Sequence, residues 1–250
     1  MRLLARLRAI LFLSLVFGSV MTIGFVTIVV SAILHKPILM RRLSWGYCRI
    51  IFPLFGIQVI VEGFEKLERD KRYVFASNHQ SFLDIMLMMG WLRFPAFLAK
   101  HEIRSWPWFG WAMSQMGCVF VDRNNRRDRI DTARRVREAL RLGNDFCIFP
   151  EGTRSADGSL HSFQSGVFHL ATGEKTLLAP VVIDGTGEIL NKHGFRMYPG
   201  TIRLAILDPI DLAQETWDHK DLAREVQRMV TAQLDSWRDS TALCAPSAGD

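Results

Sequence analysis

Residues 73–84 read Tyr-Val-Phe-Ala-Ser-Asn-His-Gln-Ser-Phe-Leu-Asp, a strand pattern that passes through a polar turn into a helix pattern. Tyr73–Ser77 is a short run of aromatic, β-branched and small residues, of the length a buried strand takes. A polar turn follows, and from Phe82 to Trp91 the apolar residues take helical spacing. Strand, polar loop and helix form the unit from which α/β sheets are built. The alternation continues on both sides. Further candidate strands are Gln58–Glu62, Ala96–Ala99, Cys118–Val121, Phe146–Phe149, Leu177–Ile183 and Arg203–Ile206. Further candidate helices are Trp108–Met116, Arg126–Leu142 and Leu222–Trp237. The pattern predicts one α/β domain over residues 58–239, with a central mixed sheet flanked by helices.

Upstream the composition changes. Ile10 to Leu34 carries no charged side chain, and a helix of that length measures about 37 Å, enough to cross the hydrocarbon layer with tilt. A secretory signal would have an apolar core of roughly 7–15 residues and a cleavage site. Here the run is longer, and His35-Lys36-Pro37 follows it. A membrane-associated helix is expected over residues 10–34, either transmembrane or re-entrant. Gly18-Ser19 and Gly24 leave the hairpin open, and with basic residues on both flanks the positive-inside rule assigns no orientation. Ile38 to Ile57 mixes aromatic and apolar residues with Arg41, Arg42 and Arg49, the pattern of an interfacial helix or of a packing helix of the domain. Residues 1–57 are thus the expected anchor, and residues 240–250 the expected disordered tail.

The chain's 250 residues suit one domain with an appendage, and its 49% hydrophobic content is raised by the anchor. A net charge of +6 fits either nucleic acid or an anionic membrane surface. The apolar segment, and the lack of a nucleic-acid fold signature, favour the membrane and argue against nucleic acid. Cys48, Cys118, Cys147 and Cys244 are scattered without a C-x-x-C pair. That spacing suits neither a disulfide framework nor a zinc site and fits a reducing, cytosol-facing location. His101, His161, His169 and His193 lack metal-ligand spacing, so no metal is expected. Arginines crowd the Arg126–Leu142 stretch, with Asp131–Arg135 and Arg134–Glu138 as i,i+4 pairs; it reads as a solvated face or a contact for anionic headgroups. Trp106-Pro107-Trp108-Phe109 reads equally as an interfacial anchor or as core.

Two segments carry chemistry. In Asn78-His79-Gln80-Ser81-Phe82-Leu83-Asp84, a neutral imidazole can take a proton from an alcohol near neutral pH. A carboxylate five residues on can fix its tautomer and stabilise the imidazolium as it forms. In Phe149-Pro150-Glu151-Gly152-Thr153-Arg154-Ser155, glycine permits close backbone approach and Arg154 offers a planar fork matched to phosphate oxygens. Both segments follow predicted strands, whose carboxyl ends build the sites of open α/β sheets.

Together with Gly117-Cys118-Val119-Phe120-Val121-Asp122-Arg123 and Ala179-Pro180-Val181-Val182, these segments resemble the four ordered motifs of the glycerophospholipid acyltransferase family, in its lysophosphatidic acid acyltransferase group. The resemblance covers about residues 58 to 210. It also takes in Phe97-Leu98-Ala99-Lys100 and Trp108-Phe109-Gly110-Trp111. It implies that His79 deprotonates the acceptor hydroxyl while Asp84 holds the imidazole, and that the alkoxide attacks the thioester of acyl-CoA or acyl-carrier protein without an acyl-enzyme. It implies that Arg123, Glu151, Gly152, Thr153 and Arg154 bind the acceptor's glycerol phosphate, with Lys100 as a further contact, and that the Pro180 segment shapes the acyl side. No cofactor or metal is implied, since the thioester is already activated. The implied acceptor is 1-acyl-glycerol-3-phosphate, the implied product phosphatidic acid, and the implied location the cytoplasmic face of a bacterial inner membrane.

One departure stands out. Many members have Phe-Lys-x-Gly after the arginine motif, where this chain has Phe163-Gln164-Ser165-Gly166. Loss of that cation keeps open another lysolipid acceptor such as lyso-ornithine lipid. A hydrolase lacks support because no G-x-S-x-G elbow is present. A non-enzymatic membrane adaptor would account for the basic charge but not for the paired motifs.

Overall fold

A computed structural model describes residues 2–34, 38–93, 95–106, 109–122, 125–155, 157–172, 176–190 and 196–243. Two helices lead, α1 (Arg2–Leu34) and α2 (Ile38–Leu54). The domain then runs β1 (Ile57–Glu62), β2 (Tyr73–Ser77), α3 (Leu83–Trp91), β3 (Ala96–Lys100), α4 (Phe109–Gln115), β4 (Val119–Val121), α5 (Arg126–Arg141) and β5 (Phe146–Ile148). It closes with α6 (Ser165–Thr172), β6 (Leu177–Asp184), α7 (Thr186–Ile189), β7 (Gly200–Ile206), β8 (Ile210–Asp211) and α8 (His219–Leu243).

The strands form one mixed sheet in the order β1-β7-β6-β2-β5-β3-β4, with β8 paired to β6. From β6 to β4 all neighbours are parallel, while β7 is antiparallel to β6 and β1 parallel to β7. The carboxyl ends of β2 to β6 and the amino ends of β1 and β7 therefore reach the same edge. Central strands buried on both faces need apolar residues at every position. β2 meets that demand as far as Ala76 and sorts its side chains by the pleat. Tyr73 and Phe75 enter a core with Phe12, Phe52, Leu83 and Leu87 from the leading helices and α3. Val74 and Ala76 face Val136, Phe168, Leu222 and Val226 from α5, α6 and α8.

The predicted strands are all present, most with ends displaced by a residue or so, and the mixed sheet is as expected. Four differences carry physical reasons. The leading helix begins at Arg2, eight residues before the uncharged run, because Ala5, Ala9, Phe12 and Val16 recur at helical spacing and bury against the domain. Among the described residues no helix is long and apolar enough to cross a membrane. Ile57 opens β1 instead of closing the second helix, since Gly56 at φ 71° turns the chain between them. At the other end α8 runs to Leu243, four residues into the expected tail, with Leu234 and Trp237 buried on its sheet-facing side; residues 244–250 lie outside the described residues. Arg135 does not take the expected Asp131 carboxylate. It reaches Asp128 on its own helix at 2.6 Å and the Phe120 carbonyl at 2.9 Å, and the second contact ties α5 to β4.

Candidate active site

β2 ends at Ser77, and the next five residues cross the sheet edge before α3 begins. Asn78 lies buried there and extends the sheet by one pseudo-residue: its Nδ2 donates to the Ile183 carbonyl at 2.7 Å, and its Oδ1 accepts from Ile183 N–H at 2.8 Å. His79 comes next. Its Nδ1 stands 2.7 Å from Asp84 Oδ2, with the imidazole 15% exposed and the carboxylate fully buried. The spacing of five residues works because the loop folds back over the first turn of α3, where Asp84 N–H donates to the Ser81 carbonyl at 3.3 Å.

An ionised carboxylate at 0% exposure needs donors, and Asp84 has four. Oδ2 accepts from His79 Nδ1, from Gln80 N–H at 2.7 Å and from Ser81 N–H at 2.8 Å. Oδ1 accepts from Thr186 Oγ1 at 2.5 Å. With Nδ1 committed to the carboxylate, Nε2 is the imidazole atom left to accept a proton. The ring itself is wedged: it stacks on Phe149 with centroids 4.1 Å apart and 17° between planes, and Phe149 stacks in turn on Phe97.

The second motif reaches the first through the backbone. β5 delivers Phe149 and Pro150 to the same edge, and Glu151 follows, buried. Its Oε1 accepts from His79 N–H at 2.7 Å and its Oε2 from His161 N–H at 3.0 Å. Burial pushes the Glu151 carboxyl above its ordinary value, while the two backbone donors pull the other way. Ser155 N–H donates to the His79 carbonyl at 2.8 Å. His79 is therefore gripped at both its N–H and its C=O by residues 151 and 155, and half-buried Arg154 adjoins the second grip.

The predicted site residues fall into three groups. His79, Asp84, Glu151, Gly152, Thr153 and Arg154 lie together on two bonded loops and the first turn of α3. Glu151 differs from its expected role: both carboxylate oxygens serve backbone donors inside the protein, which makes it a clamp on His79. Gly152, at φ 71°, lies under Gln164, whose Nε2 would stand 2.6 Å from an added Cβ. Lys100 ends β3 at the same sheet edge but is exposed and paired with Glu102 at 2.7 Å. Arg123 lies outside the described residues. The Ala179–Val182 stretch is sheet core, with Pro180 opposite Ala76 in the β2–β6 pairing. Among the described residues no group of His, Cys, Asp or Glu is arranged to hold a metal ion.

Sequence reading missed Thr186, the double bond from Asn78, and the Phe149 stack. Thr186 stands 102 residues from Asp84 with one hydroxyl and no motif of its own. The one available signal is Gly185-Thr186 directly after a strand, a turn that returns the chain to the sheet edge.

Comparison with known proteins gives consistent results. The sequence model of the family described as Acyltransferase matches residues 58–184. The chain is 39% identical over 163 residues to the chloroplastic 1-acyl-sn-glycerol-3-phosphate acyltransferase LPAT1 of Arabidopsis thaliana, an alignment covering 64% of this chain and 45% of that protein. The chain thus spans about half the length of that relative. It is 30% identical over 216 residues to the 1-acyl-sn-glycerol-3-phosphate acyltransferase of Limnanthes alba, covering 79% of this chain and 75% of that one. Among solved structures, the 1-acyl-sn-glycerophosphate acyltransferase PlsC of Thermotoga maritima superimposes with a TM-score of 0.85 at 27% identity, over 95% of this chain and 98% of the other.

Proposed function

The chain belongs to the acyltransferase family, and from that premise we propose that it moves a fatty acyl group from an acyl thioester to the sn-2 hydroxyl of 1-acyl-glycerol-3-phosphate, giving phosphatidic acid. The observation that carries this reading is the His79 Nδ1–Asp84 Oδ2 contact of 2.7 Å, in a loop gripped by the segment that bears Arg154. A membrane adaptor has no use for a buried carboxylate with four donors aimed at it.

The steps follow from the atoms. His79 Nε2 accepts the proton of the acceptor hydroxyl as its oxygen attacks the thioester carbonyl carbon. The tetrahedral intermediate collapses with cleavage of the C–S bond. The imidazolium returns its proton to the leaving thiolate, so free thiol and ester are the products. Asp84 keeps Nδ1–H in place and stabilises the imidazolium between the two transfers. A positioned base supplies about 10²- to 10⁴-fold, and orientation of the acceptor adds to it. Arg154 supplies the fork for the acceptor phosphate, with Thr153 next to it in the chain; Arg123 and Lys100 are further cations that the family resemblance assigns to the acceptor. Neutral Gln164 over Gly152 adds no cation, which leaves the phosphate more dependent on Arg154. The donor is acyl-CoA or acyl-carrier protein.

The working location in this reading is the cytoplasmic face of a bacterial inner membrane, with the leading helices against anionic lipid. Exposed Leu3, Leu7, Leu11 and Phe17 on α1 and exposed Trp45 and Ile50 on α2 support it.

Purified protein given radiolabelled acyl-CoA and 1-acyl-glycerol-3-phosphate is expected to form labelled phosphatidic acid. His79→Ala is expected to lower the rate by about 10²-fold or more. Unchanged transfer by that variant would remove the mechanism. Label appearing only on lyso-ornithine lipid, in a parallel panel of acceptors, would move the assignment to that substrate.

A further inference from the structure

Three side-chain attachments cross from residues 183–190 to the catalytic loop, over sequence separations of 102 to 109 residues. Asn78 pairs with the backbone of Ile183 through both its amide atoms. Ser81 Oγ donates to the Leu190 carbonyl at 2.7 Å. Between them Thr186 Oγ1 donates to Asp84 Oδ1 at 2.5 Å, and Thr186 is fully buried. The first two attachments end on backbone. The third ends on the carboxylate that orients the base.

The direction of that bond is fixed by chemistry. An ionised carboxylate only accepts, so the hydroxyl must donate, and 2.5 Å is the length of a charge-assisted O–H···O⁻ bond. The chain is shaped to deliver it. Gly185 takes φ 88°, and a Cβ there would stand 2.4 Å from the Thr201 carbonyl oxygen, so the turn out of β6 into α7 demands glycine. The next residue then lies under Asp84. Oδ2 accepts three donors, all from the loop that also carries His79, so that loop fixes one end of the carboxylate. Its rotation about the Cβ–Cγ bond is set at the other end.

We infer that Thr186 is a positioning residue for the His79–Asp84 pair: its hydroxyl holds the second carboxylate oxygen and so sets the plane in which Asp84 meets the imidazole. The inference rests on the acyl-transfer reading of the site. It extends the working unit from two residues to three, with the third contributed by the segment after β6. Removing the donor has two effects of the same sign. The carboxylate loses a fixed rotamer, and with less of its charge dispersed it holds a proton on the imidazole more tightly. A base that must be neutral to act then works only at higher pH.

The test uses the full chain, comparing Thr186→Val, which keeps the β-branched shape without the hydroxyl, with Thr186→Ser, which keeps the hydroxyl. Thr186→Val is expected to lower kcat by about 10- to 100-fold with KM for the acceptor nearly unchanged. The acid limb of its kcat/KM profile is expected to move to higher pH. Thr186→Ser is expected to restore both. If Thr186→Val does not accumulate in folded form, Thr186→Ala carries the same comparison. A second readout needs no substrate: the Nδ1 proton resonance of His79, followed by NMR on imidazole-labelled protein, should shift in Thr186→Val and return in Thr186→Ser. An inactive wild type with a shifted resonance would sink the acyl-transfer reading and leave the positioning role standing. An active wild type with unchanged profile and resonance in Thr186→Val would overturn the positioning role alone.

Discussion

Glu151 holds two backbone donors at once, and this makes its chemistry hard to replace. Glutamine has the same shape but one acceptor oxygen. If that oxygen stays with His79 N–H, an NH2 group faces His161 N–H, and one part-buried donor loses its partner, at a cost of about 1 kcal/mol. Glu151→Gln is therefore expected to lower both the melting temperature and kcat, the latter because the grip on His79 loosens. Its pH dependence has a definite sign. Burial raises the Glu151 carboxyl in the folded protein above the unfolded value of about 4.3. A raised acid contributes stability that is complete below the unfolded value and is lost as pH rises through the folded one. The margin in melting temperature of wild type over Glu151→Gln should shrink as pH rises from about 4 toward neutrality, the range above that unfolded value. Thermal unfolding across that range decides it, and a margin that widens would mean that the two backbone donors outweigh burial at Glu151.

At the scale of elements, the sheet edge does the assembling, and turns decide what arrives there. Gly158 and Gly185 make a controlled pair. Both take left-handed backbone, at φ 78° and 88°, but a Cβ on Gly158 meets nothing within 4 Å while one on Gly185 collides with the Thr201 carbonyl. Gly158→Ala is expected to cost only the backbone term, about 1 kcal/mol, with activity retained. Gly185→Ala must also displace β7 or the turn that carries Thr186, and should lose both more stability and most activity. Equal losses in the two variants would mean that the Gly185 turn does not position the site. The same contrast accounts for what could be read in advance. Tyr73–Ser77 and Leu177–Ile183 were legible because strands buried on both faces leave nearly unbroken apolar runs. His79 and Asp84 were legible because one short loop and the first turn of the helix after it hold both. α6 escaped notice because Gly166 and Thr172 dilute a helix of eight residues, and α7 because four residues carry no period. Thr186 was invisible because its partner is set by the β2–β6 pairing, which no local pattern records.

Across the whole molecule, the leading helix poses a problem of surplus. Ala5, Ala9, Phe12 and Val16 make the stripe that buries against the domain, yet beside exposed Arg6 and Ser14 the open side of the same stretch carries large apolar residues, with Leu7 54% and Leu11 55% exposed. A helix of a protein surrounded by water ordinarily shows polar residues on its open face. Here the open face continues into other exposed apolar groups: Phe17 approaches Trp106 with ring centroids 6.3 Å apart, and Trp111 and Trp45 are exposed as well. Arg49 adds the basic fringe that suits an anionic surface, lying over the rings of Trp45 and Trp91 while its Nε donates to the Gly90 carbonyl. A lipid surface against this face would bring a water-insoluble acceptor to the same body that holds His79. Because Leu7 and Leu11 lie off the buried stripe, the double substitution Leu7→Asp with Leu11→Asp removes apolar contact without opening the core. Each buried leucine contributes about 1.5–3 kcal/mol, so binding to vesicles of phosphatidylcholine and phosphatidylglycerol should weaken by about 100-fold or more. Turnover of a 1-acyl-glycerol-3-phosphate with a chain short enough to stay dissolved should be nearly unaffected, because Asp84 and its donors are untouched. Co-sedimentation and the soluble-acceptor assay, run on the same preparation, separate the two effects. Full vesicle binding by the double variant would mean that this face of α1 does not meet lipid.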